Sequence, residues 1–178
     1  MDENKAFAPF DLSKTQKFNK VTQRQEMSEN FYKLAAIYYD VALHTLVNMN
    51  WMPVTLSNAA FSCELFLKAL LYGFGIDFEK THGLKDLFEK LPQNEQAYIA
   101  ENIAIENRDK EFFLCLNEQN NAFMEYRYMC EAKAITGNPI FLLKFAHILK
   151  FVYQSLVKEN SKSDKSEESS DTADQGGR

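Results

Sequence analysis

The sequence predicts an all-α protein: an up-and-down bundle of four to five helices, followed by a disordered C-terminal tail. Three observations predict it. Apolar residues recur at steps of three and four through most of the chain. No run alternates β-branched with polar residues. The 178 residues include six Gly and four Pro, too few for the turns of an all-β fold. The length fits one domain, and an apolar content of 46% supports a packed core.

The elements follow in order. Residues 1–26 read as a polar N-terminal extension, with no apolar stretch long enough for a secretory signal. The spacing then predicts a first helix over Ser28 to Asn48. Its inward stripe is Met27, Phe31, Leu34, Ala35, Tyr38, Val41, Ala42, Thr45 and Leu46. A second helix is expected from Pro53, which suits a first turn where its missing N–H is not needed, to Phe74. Leu56, Ala59, Ala60, Cys63, Leu67, Leu70, Leu71 and Phe74 form its core stripe, and Gly73 and Gly75 supply its end. A short helix near His82 to Leu91 follows, capped by Thr81, with Leu84, Leu87, Phe88 and Leu91 as its apolar edge. Pro92 ends it.

Residues 93–107 are expected to be helical, with Tyr98, Ile99, Ile103 and Ile105 as burial candidates. Asp109 to Tyr126 reads as one helix using Phe112, Leu116, Phe123 and Met124. The last helix has the clearest start: Asn138 as N-cap and Pro139 as first residue. It is expected to reach Lys158, with Phe141, Leu142, Phe145, Ile148, Leu149, Val152 and Leu156 inward. The bundle thus occupies residues 27–158. Residues 159–178 hold no large apolar side chain and carry a charge of −3. They cannot bury enough surface to offset their ordering entropy, and read as a solvated acidic tail.

The formal charge is −5, which leaves −2 for the rest of the chain. With no basic stripe, general nucleic-acid binding is not expected. Three Cys, at 63, 115 and 130, fit neither a disulfide framework nor a metal motif; they read as reduced thiols of a cytoplasmic protein. No window holds eighteen consecutive apolar residues, so no membrane-spanning helix is expected.

Chemistry-bearing motifs are few. His44, His82 and His147 are far apart and outside any metal-ligand spacing, so no metal and no cofactor is expected. Gly73 and Gly75 belong to a helix end, not to a phosphate loop. No GxSxG elbow exists, and Cys63 on a core stripe reads as an inert thiol. Two polar constellations remain. Ser57, Phe61, Glu64 and Lys68 lie at steps of four, three and four on the second helix; as a surface pair, Glu64 and Lys68 contribute about 0.3–0.5 kcal/mol. The second is Glu125-Tyr126-Arg127-Tyr128 with Glu131 beyond. There an Arg between two Tyr either builds an interior network or presents its guanidinium to a ligand.

At these residues the chain resembles HEPN domains (higher eukaryotes and prokaryotes nucleotide-binding). Ala59 to Leu71, AAFSCELFLKALL, is similar to the family's second helix, where an acidic residue and a Lys recur. Thr81-His82-Gly83-Leu84-Lys85-Asp86-Leu87 resembles its short HxLxxL helix. Asn121 to Tyr128 with Glu131 resembles an nxFxxxRYxxE segment of small bacterial members. The resemblance covers about residues 28–158. It implies a four- or five-helix bundle, often dimeric, and in many members a metal-independent ribonuclease acting in toxin–antitoxin or defence systems. That activity uses an Arg, four to six residues, then a His. Here the required positions are Ile140, Phe141 or Leu142 for His147; Gly75, Ile76 or Asp77 for His82; and Ile37, Tyr38 or Tyr39 for His44. None is Arg. His147 with Lys144 is the one substitute the sequence offers, but Ile140 and Phe151 extend that stripe, which favours a helix contact or dimer seam.

The expectation is a non-catalytic HEPN-like module, with no catalytic residues. It would bind a partner protein or a small anionic ligand such as a nucleotide, through Glu64, Lys68, His82, Lys85, Arg127 and Tyr128. Glu64, Arg127 and Glu131 are expected to form a structural network as well, since a buried Arg needs carboxylates. A homodimer is expected. The alternatives are a divergent ribonuclease and a purely architectural homodimer.

Overall fold

A computed structural model describes residues 8, 10, 11, 13, 15–18, 22–78, 80–103, 111–127 and 137–168; for residues 22, 111, 127 and 163–168 the description covers backbone only. Among the described residues there are seven α-helices and no strand. They are α1 (Thr22–Thr45), α2 (Met52–Phe74), α3 (Leu84–Phe88), α4 (Gln93–Asn102), α5 (Glu111–Glu118), α6 (Ala122–Arg127) and α7 (Pro139–Glu168), with a 3-10 turn at Met49–Trp51.

α2 is the central element. It packs against α1 on one side and α7 on the other, with α6 and α3 across its outer face. α1 and α2 form an antiparallel hairpin, made close by small residues: Ala35 and Ala42 of α1 and Ala59, Ala60 and Ser62 of α2 are all fully buried. The Ser62 hydroxyl donates to Ala35 O at 3.0 Å and the Ser28 hydroxyl to Ala69 O at 2.7 Å, so the polar groups at this contact are satisfied. α7 runs parallel to α2.

The expected inward stripe of α1 is rotated. Ser28, Ala35, Tyr39, Ala42 and Thr45 are buried, while Met27, Leu34 and Val41 are 40%, 41% and 39% exposed. Small residues let α2 approach along the 28–35–42 line, and that leaves the larger apolar line outside. α1 ends at Thr45, whose hydroxyl bonds back to Val41 O at 2.9 Å; Asn48 then caps the 3-10 turn by accepting from Asn50 N.

α2 closes as expected: Pro53 is in its first turn, and Gly75 is left-handed at φ 73° with its N–H on the last carbonyls. Gly73 has another role. A Cβ there would come within 2.6 Å of the Phe18 ring. Phe18 is buried and meets Phe74 edge-on at 4.9 Å, inside the segment expected to be a polar extension. Further upstream, Ala8 O accepts from the Tyr98 hydroxyl and Phe10 packs on the Tyr98 ring at 4.5 Å. Ala8 and Phe10 thus pack on α4, and Phe18 on the α2–α7 end.

α3 is shorter than expected, five residues from Leu84, with Thr81 accepting from Gly83 N at 3.3 Å just before it. The helix expected over Asp109 to Tyr126 is two. It breaks because Asn120 serves another element: its carbonyl accepts from Leu84 N at 2.9 Å and its side chain from Lys85 N at 2.8 Å, capping α3. Ile105 lies outside the described residues.

α7 starts as expected, with Asn138 Oδ1 accepting from Phe141 N at 2.9 Å, and all seven expected inward residues are buried. It continues ten residues past Lys158. The Ser161 hydroxyl bonds Val157 O at 2.9 Å, and a Glu- and Lys-rich continuation carries good helix formers. Residues 169–178 of the expected tail lie outside the described residues. Met49–Phe74 and Pro139–Lys162 are long and apolar enough to cross a membrane, but 78% and 56% of an apolar 18-residue window in each are buried inside the bundle.

Candidate functional site

The expected site begins on α2. Glu64 lies on the face that meets the segment leading into α3, and its side chain is 1% exposed. Its Oε1 accepts from Lys68 Nζ at 2.6 Å and from His82 Nδ1 at 2.9 Å. Lys68 is itself only 12% exposed, with its ammonium 5.8 Å from the Phe78 ring centre. The expected surface pair is therefore a buried one. Glu64 Oε2 is buried without a hydrogen-bond partner among the described residues. Beside the cluster, Phe61 stacks on Phe123 at 4.3 Å, and His82 tilts over Phe123 at 6.5 Å.

Sequence and structure agree in bringing Glu64, Lys68 and His82 together. They differ on Lys85, which reaches Asn117 Oδ1 at 3.3 Å and Glu89 at 3.9 Å, facing α5. Arg127 ends α6, and its side chain is outside the description. Tyr128 and Glu131 also lie outside the described residues, so the expected Glu64–Arg127–Glu131 network does too. What remains is a buried carboxylate that accepts from Lys68 and His82 and so ties the residue just before α3 to α2. Its charges are spent internally, which suits a structural tie better than anion capture.

The other chemistry-bearing residues are also engaged. His147 Nδ1 lies 3.1 Å from the buried Tyr39 hydroxyl, and Lys150 sits 5.2 Å over the Tyr39 ring. His44 Nδ1 donates to Asp40 O at 2.7 Å. Cys63 donates to Leu142 O, and burial pushes its thiol pKa far up, so it stays protonated and unreactive. Among the described residues no three His, Cys, Asp or Glu side chains are grouped to hold a metal.

A second region was not expected from the sequence. A groove of about 680 Å³ runs between the N-terminal half of α1 and the C-terminal half of α7, with Phe18 at one end. Tyr32 stacks on Tyr153 at 4.4 Å with the rings 12° apart. Gln154 Nε2 donates to the Tyr32 hydroxyl at 2.7 Å. Burial raises both phenol pKa values, so both stay neutral and serve as hydrogen-bonding groups. Lys158, Asn160 and Ser161 line the α7 side, and Glu29 and Lys33, paired at 2.7 Å, the α1 side. The volume is that of a small-molecule site, with aromatic walls and a few polar groups. The sequence held one signal for it: Tyr32 and Gln154 depart from the apolar stripes of helices that otherwise bury their faces. The groove also depends on Phe18 and on α7 continuing past Lys158, both read differently from the sequence.

No curated protein and no solved structure matches the chain. The pattern of the HEPN domain matches residues 25–133, more than half of the chain. The match runs from the start of α1 through the Glu64–Lys68–His82 tie and past α6, in an all-helical architecture. On that match and that fold, the chain belongs to the HEPN domain family.

Proposed function

We propose that the chain is a non-catalytic HEPN module that holds a small anionic ligand with an aromatic ring, of mononucleotide size, in the α1–α7 groove. The observation that carries this reading is the groove itself: 680 Å³, walled by Phe18, Tyr32, Phe151 and Tyr153 and edged by Lys158. A base finds stacking surface there and a phosphate finds an ammonium. The family membership supports a nucleotide-related role, and the absence of an Arg at the required distance before any His argues against the family's ribonuclease chemistry. The Glu64 cluster, with its charges paired, serves the fold.

Calorimetric titration with AMP tests this. Binding in the micromolar range is expected. Lys158→Glu and Gln154→Ala should each weaken it about tenfold, while His82→Ala should leave it within about twofold. No heat with AMP, or loss of binding in His82→Ala alone, contradicts the reading. So does RNA cleavage by the purified protein that is abolished in His147→Ala.

A further inference from the structure

We propose that the turn between α1 and α2 is a docking tip for a lipid surface of no net charge, inserting Val47, Met49, Trp51 and Val54 into its interfacial layer. These side chains are 89%, 76%, 53% and 43% exposed, and Val47 and Met49 are the two most exposed large apolar side chains among the described residues. Apart from Asn48 and Asn50, every residue from Leu46 to Val54 is apolar. A turn in water normally carries polar residues, so four exposed apolar side chains within eight positions mark an interaction surface. The tip stands at the C-terminal end of α1, whereas the α1–α7 groove uses the N-terminal half of that helix. The two sites are therefore separate.

The turn also meets much of its own hydrogen-bonding need. Asn48 N donates to Thr45 O at 3.2 Å, Trp51 N to Asn48 O at 2.9 Å and Asn50 N to Asn48 Oδ1 at 3.0 Å. Met52 N donates to Met49 O. Beneath them the Thr55 hydroxyl donates to Thr45 Oγ1 at 2.9 Å, and both Thr are buried. Backbone donors without partners are costly in a layer poor in water, and here four N–H groups in five residues are already bonded.

Charge and shape identify the occupant. Between Asp40 and Glu64 the chain carries no Asp, Glu, Lys or Arg, so the tip offers a charged partner nothing to pair with. The rest of the chain is acidic, at −5 overall, which disfavours an anionic surface. Four side chains on a projecting turn cannot supply the about 800 Å² that each partner buries in a standard protein interface. A lipid layer needs no matching concave surface, and it takes an indole at the headgroup level with apolar side chains deeper. The insertion is shallow and reversible. Its strength is at most that of one acyl chain, which sets half-binding at about 0.1–1 mM lipid.

Trp51 is the single Trp of the chain, so its fluorescence reports on the tip directly. The test titrates the full chain with phosphatidylcholine vesicles, with circular dichroism confirming that each variant is folded. Trp51 emission should shift to the blue, and bromine-labelled acyl chains should quench it. Raising the salt or adding phosphatidylserine should not strengthen binding by more than about twofold, since no charge pairing is involved. Val47→Asp with Met49→Asp should raise the lipid needed for half-binding at least about tenfold. Leu114→Asp, on an exposed apolar residue of α5, should leave it within about twofold of wild type. No blue shift by about 2 mM lipid overturns the proposal, and leaves a protein partner as the tip's occupant. So does a shift without quenching by the labelled chains, binding that requires phosphatidylserine, or a loss as large in Leu114→Asp as in the tip variant.

Discussion

Glu95 is the residue at which local cost is plainest. Its side chain is fully buried in the first turn of α4, and neither carboxylate oxygen has a hydrogen-bond partner among the described residues. Burial raises its pKa. The folded state therefore keeps the proton at a pH where the unfolded chain has released it. Stability is highest below the usual carboxylate value and falls as pH rises through the raised one. Glu95→Gln removes that dependence. Its melting temperature should match wild type near pH 4 and exceed it at pH 7.5, by the equivalent of about 1 kcal/mol; equal melting at both pH values would contradict the account. Glu64 is the opposite case, a buried carboxylate whose Oε1 accepts from the Lys68 ammonium and from His82 Nδ1. Glu64→Ala leaves Lys68 buried and unpaired and should cost about 3 kcal/mol, read by urea denaturation, far more than a surface pair. The sequence placed Glu64, Lys68 and His82 together because helical spacing and a short cap segment define their meeting. It could not give their burial, since i,i+4 spacing is the same on either face of a helix.

At the scale of elements, the clearest coupling joins the N-terminal segment to α2. Gly73 lies where any Cβ would meet the Phe18 ring. Gly73→Ala should then destabilise by about 1–3 kcal/mol although Ala is the better helix former, because Phe18 must be displaced. In Phe18→Ala the same substitution should cost much less, and a double-mutant cycle by chemical denaturation reads the difference. Additive effects would show that the ring does not occupy the notch. α7 gives a second test. Removing residues 169–178 should leave both melting and AMP binding unchanged. Removing 159–178 should lower the melting temperature by less than about 4 °C, since no large apolar side chain is lost, but weaken AMP binding several-fold through loss of Asn160 and Ser161. Helix existence and type were legible where periodicity ran long, as in α2 and α7, and where a cap was explicit, as at Asn138. The break between α5 and α6 was not, because Asn120 leaves the helix to cap α3, a partner 35 residues distant. The rotation of α1 was hidden for a related reason: hydrophobic pattern favours the line with the larger side chains, while close helix approach selects the line with the smaller ones.

For the whole molecule, the bundle separates three faces of α1. One is packed on α2, one lines the groove with α7, and one leaves Met27, Leu34, Ile37 and Val41 exposed. Fold class and family were legible because an all-helical pattern and three ordered motifs survive without any knowledge of packing. The groove was not, because it is made by residues far apart in sequence, Tyr32 on α1 and Tyr153 and Gln154 on α7, and closed by Phe18 from a segment of polar composition. The central claim is that this groove, and not the Glu64–Lys68–His82 cluster, is the ligand site. The most direct measurement is an amide and side-chain NMR titration of the full chain with AMP. The account predicts saturable shifts concentrated at Tyr32, Tyr153, Gln154 and Lys158, with Glu64, Lys68 and His82 unchanged. Shifts concentrated at His82 and Lys68, with the α1–α7 groove silent, would contradict it.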